Sequence, residues 1–314
     1  MKRVLITGGT GFVGSNFTYK FLDLGFDVNL LVRSESNFWR IEEIKNKIKL
    51  HYVDLTNREE TENFIKKLKP QIILHFATYG AYLGRQKDVN EAVKTNLLGT
   101  VNLLNACSKI DFECFINTGT NSEYGEKNHP MRENEILEPN NFYGATKAAA
   151  SIYCNYLAKK LSLPLVTIRL FSVFGYFEER GRLVPSVIKA ALNNENINLS
   201  TCEAVRDFIF IEDIIDFYLK TIEKISFIKG NIFNAGTGEQ HTIEELAKIV
   251  KDLTNSPSEI VCGAVDIHQY EPKSWVSDIS KAKNILGWKP NFSLEHGLQK
   301  NIEWFRKILD KNWY

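Results

Sequence analysis

A glycine-rich turn near the start of the chain limits its possible folds more than any other feature. The apolar run Val4-Leu5-Ile6 leads into Thr7-Gly8-Gly9-Thr10-Gly11-Phe12-Val13-Gly14, and Phe17, Phe21 and Leu24 then recur at helical spacing. A buried strand, a tight turn and a helix in that order make the first unit of a parallel α/β sheet. Glycines at 8, 11 and 14 let the turn close, let the backbone approach a diphosphate and let the helix pack on the strand. The N–H groups and positive dipole end of the helix favour an anion there. A dinucleotide site made by Gly8, Thr10, Gly11, Phe12, Val13 and Gly14 is the expectation.

The alternation continues. Strands are predicted at 28–32, 49–53, 72–76, 114–117 and 165–170, with helices at 16–24, 59–68, 91–109 and 144–161. This rhythm predicts an α/β fold, a Rossmann-type doubly wound parallel sheet covered on both faces. After Gly175 it changes. A polar stretch at 176–182 precedes helices at 185–192 and 213–224, a strand at 231–235, and a helix at 242–253 opened by the capping box Thr242/Glu245. Two more helices flank Gly287-Trp288-Lys289-Pro290. The predicted division is 1–175 plus about 206–235 for the nucleotide, and about 176–205 plus 236–314 for a smaller, interwoven C-terminal substrate lobe.

Composition excludes several classes. The chain has 314 residues, 44% of them hydrophobic, and a formal net charge of +1, which gives no electrostatic case for nucleic acid or an anionic membrane. No apolar run approaches the roughly 18 residues a membrane span needs. Met1-Lys2-Arg3 is followed by only a short apolar stretch without a cleavage pattern, so a cytoplasmic protein is expected. Five scattered cysteines (Cys107, Cys114, Cys154, Cys202, Cys262), with no Cys-x-x-Cys, read as reduced thiols. The six histidines lack metal-ligand spacing, and no metal is expected.

The second strand bears on which dinucleotide is held. NAD sites usually place an acid at its end to bind the ribose hydroxyls. Here the strand ends Leu31-Val32-Arg33-Ser34, and Asp27 lies at its other end. A cation and a hydroxyl suit a 2′-phosphate, so NADP is expected over NAD, with Arg33 as its main contact and Arg40 as a second candidate. Asp54 and Leu55 follow the third strand, toward the adenine. Phe76, Ala77 and Thr78 follow the fourth, toward the nicotinamide, and Asn96 lies on the 91–109 helix.

Tyr143-Gly144-Ala145-Thr146-Lys147 puts a phenol and an ammonium on one helix face. A nearby cation favours the phenolate, so Lys147 is expected to lower the pKa of Tyr143. Such a tyrosine exchanges a proton with an alcohol or carbonyl while a hydride moves. The loop Thr118-Gly119-Thr120-Asn121-Ser122-Glu123-Tyr124-Gly125 adds a hydroxyl, Thr120, for the reacting oxygen.

With these motifs the chain resembles the extended short-chain dehydrogenase/reductases, in the nucleotide-sugar epimerase/dehydratase/reductase branch. The resemblance runs over nearly the whole length. Besides the motifs above it rests on Arg169-Leu170-Phe171-Ser172-Val173-Phe174-Gly175, on Val205-Arg206-Asp207-Phe208-Ile209 and on Gly287-Trp288-Lys289-Pro290. It implies Thr120, Tyr143 and Lys147 as catalytic triad. It implies cofactor contacts from Thr118, Phe171 and Val173 besides those named above. It also implies a nucleotide diphosphate sugar gripped by Thr120, Asn121, Ser122, Ser172, Arg182 and Arg206. A homodimer through the 91–109 and 144–161 helices is a further implication.

The 4,6-dehydratases of the branch carry an acid pair, or at least a glutamate, just after the threonine. Here Asn121 and Ser122 stand there, and Glu123 comes one place late. The loop is similar to that of bacterial deoxysugar reductases of the abequose, paratose and fucose type. The expectation is an NADPH-dependent reductase of a nucleotide-activated 4-keto sugar. The alternative is a nucleotide-sugar 4-epimerase, with a 4,6-dehydratase or a non-catalytic NADP sensor behind it. Two departures concern the diphosphate. Ser172 replaces a frequent asparagine, and His268, Gln269 and Tyr270 stand where a late arginine is common.

Overall fold

The computed structural model describes residues 1–82, 88–265 and 273–309, so His268, Gln269 and Tyr270 lie outside the described residues. The chain divides into two compact units. The first comprises Met1–Gly125, Glu133–Leu170 and Phe217–Asn234; the second comprises Glu126–Arg132, Phe171–Asp216 and Ala235–Tyr314.

The first unit is built on β1 (Arg3–Thr7), α1 (Phe12–Asp23), β2 (Asp27–Val32), β3 (Lys49–Tyr52), α2 (Arg58–Leu68), β4 (Ile72–His75), α3 (Val89–Ala92), α4 (Gly99–Cys107), β5 (Cys114–Thr120), α5 (Phe142–Leu161) and β6 (Leu165–Leu170). With the later strand β11 (Ile232–Ala235) these form a seven-stranded sheet in the order β11-β6-β5-β4-β1-β2-β3. Neighbours from β3 through β6 pair parallel. The doubly wound α/β expectation is met. β1, β4 and β6 are wholly or nearly buried, as parallel strands covered on both faces must be.

Strand order reverses at β1, where β2 and β4 lie on opposite sides of it. Ligands of open α/β sheets bind outside the carboxyl ends of strands at such a point. Gly8 has φ +68° there, and a Cβ on it would lie 2.7 Å from the Ala77 nitrogen beyond β4. Only glycine lets these two loops close on each other.

One element differs in kind from expectation. The predicted 91–109 helix is three segments: α3, a π-helical turn at Val93–Leu98, and α4. The wide turn carries Asn96, which is fully buried. π-turns inside helices recur at functional sites.

The second unit holds β7 (Ser172–Phe174), α6 (Leu183–Leu192), β8 (Ile197–Leu199), β9 (Val205–Arg206), β10 (Phe208–Phe210), α8 (Ile243–Thr254) with its short lead strand β12 (His241–Thr242), β13 (Ile260–Cys262) and α9 (Leu294–Leu309). Helix α7 (Ile211–Ile228) begins here. Its strands form three two-stranded pairs: β7 with β10, β9 with β12, and β8 with β13. Thr242 and Glu245 close the expected capping box of α8. The reading of all five cysteines as reduced thiols is corrected. Parallel pairing of β8 and β13 brings Cys202 and Cys262 to a Cα–Cα separation of 5.6 Å, and they are joined in a disulfide. Cys107, Cys114 and Cys154 are free and buried.

Candidate active site

In the first unit the glycine turn hands the chain to α1 with Gly11 at the N-cap and no side chain bonded to the first-turn amides. No acid stands in that turn. Gly14 packs so closely that a Cβ would lie 2.2 Å from the Gly8 carbonyl. Unclaimed amides, absent negative charge and a backbone free of side chains fit a dinucleotide pyrophosphate held by Gly8, Thr10, Gly11, Phe12, Val13 and Gly14.

Arg33 is exposed at the end of β2, and its Nε pairs with Glu35 at 3.0 Å. Ser34 Oγ donates to the same carboxylate at 3.0 Å. Arg40 is buried, and its Nη1 reaches the Thr10 carbonyl at 3.4 Å, beside the turn. Asp54 caps its own loop by accepting from the Thr56 amide. Leu55 is buried, and its carbonyl accepts from Asn102.

A hydrogen-bonded chain runs under the turn. Thr100 donates its hydroxyl to the Asn96 carbonyl at 2.7 Å, so it accepts from His75 Nε2 at 2.8 Å. His75 Nδ1 is then an acceptor, taking the Thr7 hydroxyl at 2.7 Å, while Thr7 Oγ1 accepts from the Ala77 amide at 3.1 Å. Burial, with Lys147 adding to it, pushes the His75 pKa down to about 3, which keeps this tautomer neutral.

Asn96 extends the chain of bonds to α5. Its Oδ1 accepts from Thr78 Oγ1 at 3.0 Å and from the Tyr79 amide at 2.7 Å. Its Nδ2 donates to the Tyr79 carbonyl and to Thr146 Oγ1, each at 3.0 Å. The loop after β4 is thereby tied to α5 between Tyr143 and Lys147.

Two further contacts seat α5. Asn141 accepts from the Gly144 amide at 2.8 Å as N-cap. A Cβ on Gly144 would lie 2.4 Å from the Ser122 carbonyl, so glycine lets the helix start press against the 121–123 turn. Thr120 and Tyr143 are thus brought within hydrogen-bonding reach of each other, and Lys147 lies one helical turn further along α5. Thr120 Oγ1 donates to Asn121 Oδ1 at 3.2 Å and accepts from the Ser122 amide at 3.3 Å.

The electrostatics differ from the sequence expectation. Tyr143 is pushed up to about 12, mainly by burial of its hydroxyl, with the Glu123 charge adding to it; the Thr120 and Thr78 hydroxyls pull the other way. The shared helix face is real, but desolvation dominates. Burial likewise lowers the pKa of Lys147, which is 2% exposed, while Glu123 opposes that shift. The site rests with a neutral phenol.

Some residues expected at the cofactor or substrate play other parts here or lie in the second unit. Thr118 Oγ1 is bonded to the Tyr218 hydroxyl at 2.9 Å. Phe171 lies just before β7 and Val173 within it, with Ser172 between them, its amide donating to the Asp207 carbonyl at 3.0 Å. Arg182 reaches Glu178 at 3.4 Å, and burial raises that carboxyl to about 7. Arg206 donates to the Val205 carbonyl at 2.7 Å and lies 6.0 Å from the Trp275 ring centre. Asp207, beside it, is fully buried and accepts from Thr237, Gly238 and Ser277. Sequence reasoning gave no role to Asp207, His75 or Ser151. Their hydrogen-bond partners lie 25 to 70 positions away, so no local spacing announces them.

A model of the NAD dependent epimerase/dehydratase family matches residues 4–236. The chain is 28% identical over 323 residues to UDP-glucuronic acid decarboxylase 1 of Xenopus tropicalis, covering 98% of this chain and 73% of that protein. It is 27% identical over 304 residues to CDP-abequose synthase of Salmonella muenchen, covering 96% and 97%. The crystal structure of UDP-glucose 4-epimerase with UDP-glucose from Thermotoga maritima matches with a TM-score of 0.88 at 28% identity, over 98% of this chain and 99% of that one.

Proposed function

Because the chain belongs to the NAD dependent epimerase/dehydratase family, the extended short-chain dehydrogenase/reductases that act on nucleotide sugars, we propose that it reduces the ketone of a nucleotide-activated 4-keto deoxysugar with NADPH. The observation that carries this reading is the Tyr143 phenol, an acid at rest, hydrogen-bonded to Thr120 at the end of β5. A ketone reductase needs a proton donor at rest, whereas oxidation of an alcohol needs a base first. NADPH supplies the hydride. Thr120 orients the ketone oxygen, Tyr143 gives it the proton, and Lys147 provides positive charge one helical turn away. Similarity to CDP-abequose synthase fits the reductase-like loop after β5.

A 4-epimerase is the second reading, favoured by the likeness to the Thermotoga maritima epimerase. Dehydration is disfavoured, because Asn121 and Ser122 are not acids and the Glu123 carboxylate is held in a buried ion pair with Arg169. A sensor without chemistry would have no use for Thr120, Tyr143 and Lys147 together.

NADP rather than NAD is inferred from Arg33 and Ser34, with the 2′-phosphate taking the place of Glu35. Arg206 and Arg182 are assigned to the diphosphate, with Ser172 beside it, and Asn121 and Ser122 are assigned to the sugar. A homodimer is inferred from the apolar side chains exposed on α5 and the helix before it: Ile152, Tyr156, Val93 and Leu98.

The test incubates the protein with 4-keto-6-deoxy nucleotide sugars and NADPH while following nicotinamide absorbance. Stoichiometric consumption supports the reductase. Interconversion of a sugar pair without net consumption makes it an epimerase. Arg33→Asp should cost NADP at least about tenfold in affinity relative to NAD, the scale of one lost charge-assisted contact; an unchanged ratio rejects the NADP assignment.

A further inference from the structure

A buried ion pair adjoins Thr120. Glu123 is 0% exposed and Arg169 2%, and Arg169 Nε donates to Glu123 Oε2 at 2.8 Å. Glu123 Oε1 accepts from the Thr120 amide at 3.0 Å and from Ser151 Oγ of α5 at 2.9 Å. Arg169 Nη1 donates to the Tyr124 hydroxyl at 2.9 Å and to the Glu133 carbonyl at 3.4 Å. The Tyr124 hydroxyl donates to Asn234 Oδ1 at 2.6 Å, and the Glu133 carboxylate takes the Asn234 amide at 2.9 Å. One carboxylate thus joins the end of β5, α5 and β6, all within the first unit.

Stability alone does not account for this arrangement. Burying two charges costs several kcal/mol per ion, and well-packed apolar replacements often match such pairs. What an apolar pair cannot do is accept the Thr120 amide or present a negative charge to α5. That charge acts on both Tyr143 and Lys147.

We propose that Glu123 is a positioning residue, which holds Thr120 at the Tyr143 hydroxyl and supplies the negative charge that buried Lys147 faces. This rests on Thr120, Tyr143 and Lys147 being the proton-handling site. It gives Glu123 a role other than that of an elimination base, since both carboxylate oxygens are taken by the protein. The other groups acting on the site are Tyr82 and the Thr120 and Thr78 hydroxyls toward Tyr143, and Cys154 toward Lys147, whose own charge acts on His75.

The test compares wild type with Glu123→Gln, Glu123→Asp and Ser151→Ala. Glu123→Gln keeps the shape and loses the charge, leaving Arg169 an uncompensated cation. Loss of a negative neighbour and gain of a positive one both favour phenolate, so the basic limb of the kcat–pH profile should move down by about one unit or more. Glu123→Asp keeps the charge and should keep the limb while kcat falls. Ser151→Ala, the mildest change, should lower kcat several-fold with KM within about twofold, since one of two bonds to Oε1 is lost. Hydrogen exchange over 118–124 gives a readout free of turnover: Glu123→Gln should lose protection there. A folded Glu123→Gln enzyme with wild-type pH profile and wild-type protection overturns the proposal, as does Ser151→Ala with unchanged kcat. If Glu123→Gln does not fold, the Ser151→Ala kinetics and its own exchange decide. If wild type turns over no nucleotide sugar, the functional reading fails instead, and the exchange experiment still judges Glu123.

Discussion

Asn96 and Thr146 meet across two helices: the asparagine Nδ2, on the π-helical turn, donates to the threonine Oγ1 on α5 at 3.0 Å, one residue before Lys147. Asn96 satisfies two donors and two acceptors with one fully buried amide. Asn96→Ala strands the Tyr79 amide and carbonyl and the Thr146 hydroxyl's acceptor side. Each unsatisfied buried group costs about 1–3 kcal/mol, and because Tyr79 is only half-buried a loss at the lower end for three groups, about 3 kcal/mol, is expected. Urea unfolding at neutral pH measures it. Asn96→Asp keeps both accepted bonds and should lose less unless the new charge is stranded, which a pH series separates.

Tyr143 is the group whose loss should be felt in chemistry and not in binding. Tyr143→Phe removes the proton donor and leaves the ring packing intact. A positioned general acid contributes typically about 10²- to 10⁴-fold, and a fall in kcat of that size is expected with cofactor affinity within about twofold. Single-turnover reduction and cofactor titration by fluorescence check the two halves. Retained turnover would remove Tyr143 from the mechanism.

His75 predicts how stability responds to acid. Its folded pKa, about 3, lies below the ordinary 6.5. Between those values the unfolded chain binds a proton that the folded one refuses, so stability falls as pH drops from about 6.5 toward 3. The full effect is on the order of 5 kcal/mol at most. His75→Gln, neutral throughout, should remove about one proton from the pH slope of stability over pH 6 to 4, about 1.4 kcal/mol per pH unit. Urea midpoints at several pH values read it; equal slopes in the two proteins would mean that His75 is not the group responsible.

The first unit was legible because its signals are local. A strand, three spaced glycines and a helix stand within 25 residues, and the i,i+4 spacing of Tyr143 and Lys147 fixes their shared face. Burial was not legible, so the direction of the Tyr143 shift was misread: spacing says which groups are near, while desolvation depends on the whole sheet above them. The π-turn at 93–98 gave no signal, since one extra residue in a turn leaves the apolar pattern readable as α-helix. β7, β8, β9, β10 and β13 are two or three residues each, too short for any alternation to register. Their pairing is set by the fold, and so is the one covalent link it creates.

That link, Cys202–Cys262, closes a loop with a sequence separation of 60 and fastens the segment after β8 to the end of β13. Cross-linking a loop of that length restricts the unfolded chain, and native disulfides of this kind contribute about 2–4 kcal/mol. Arg206 follows Cys202 by four residues, so the segment being held leads directly to a residue assigned to the diphosphate. The other three cysteines are buried, and burial raises all of their thiol pKa values, Cys154 to about 12. Thiolate is the reactive form, so these three should stay silent toward a thiol reagent in the folded protein. Native oxidised protein should therefore show almost no titratable thiol, and the same protein after mild reduction should show two. Cys202→Ser should show one without any reduction, and should unfold at lower urea by the amount reduction costs wild type. Its KM for the nucleotide sugar should rise while kcat holds, because the loop leading to Arg206 loosens while Thr120, Tyr143 and Lys147 lie in the other unit. Two reactive thiols in the protein as purified without reductant would show that the bond does not form.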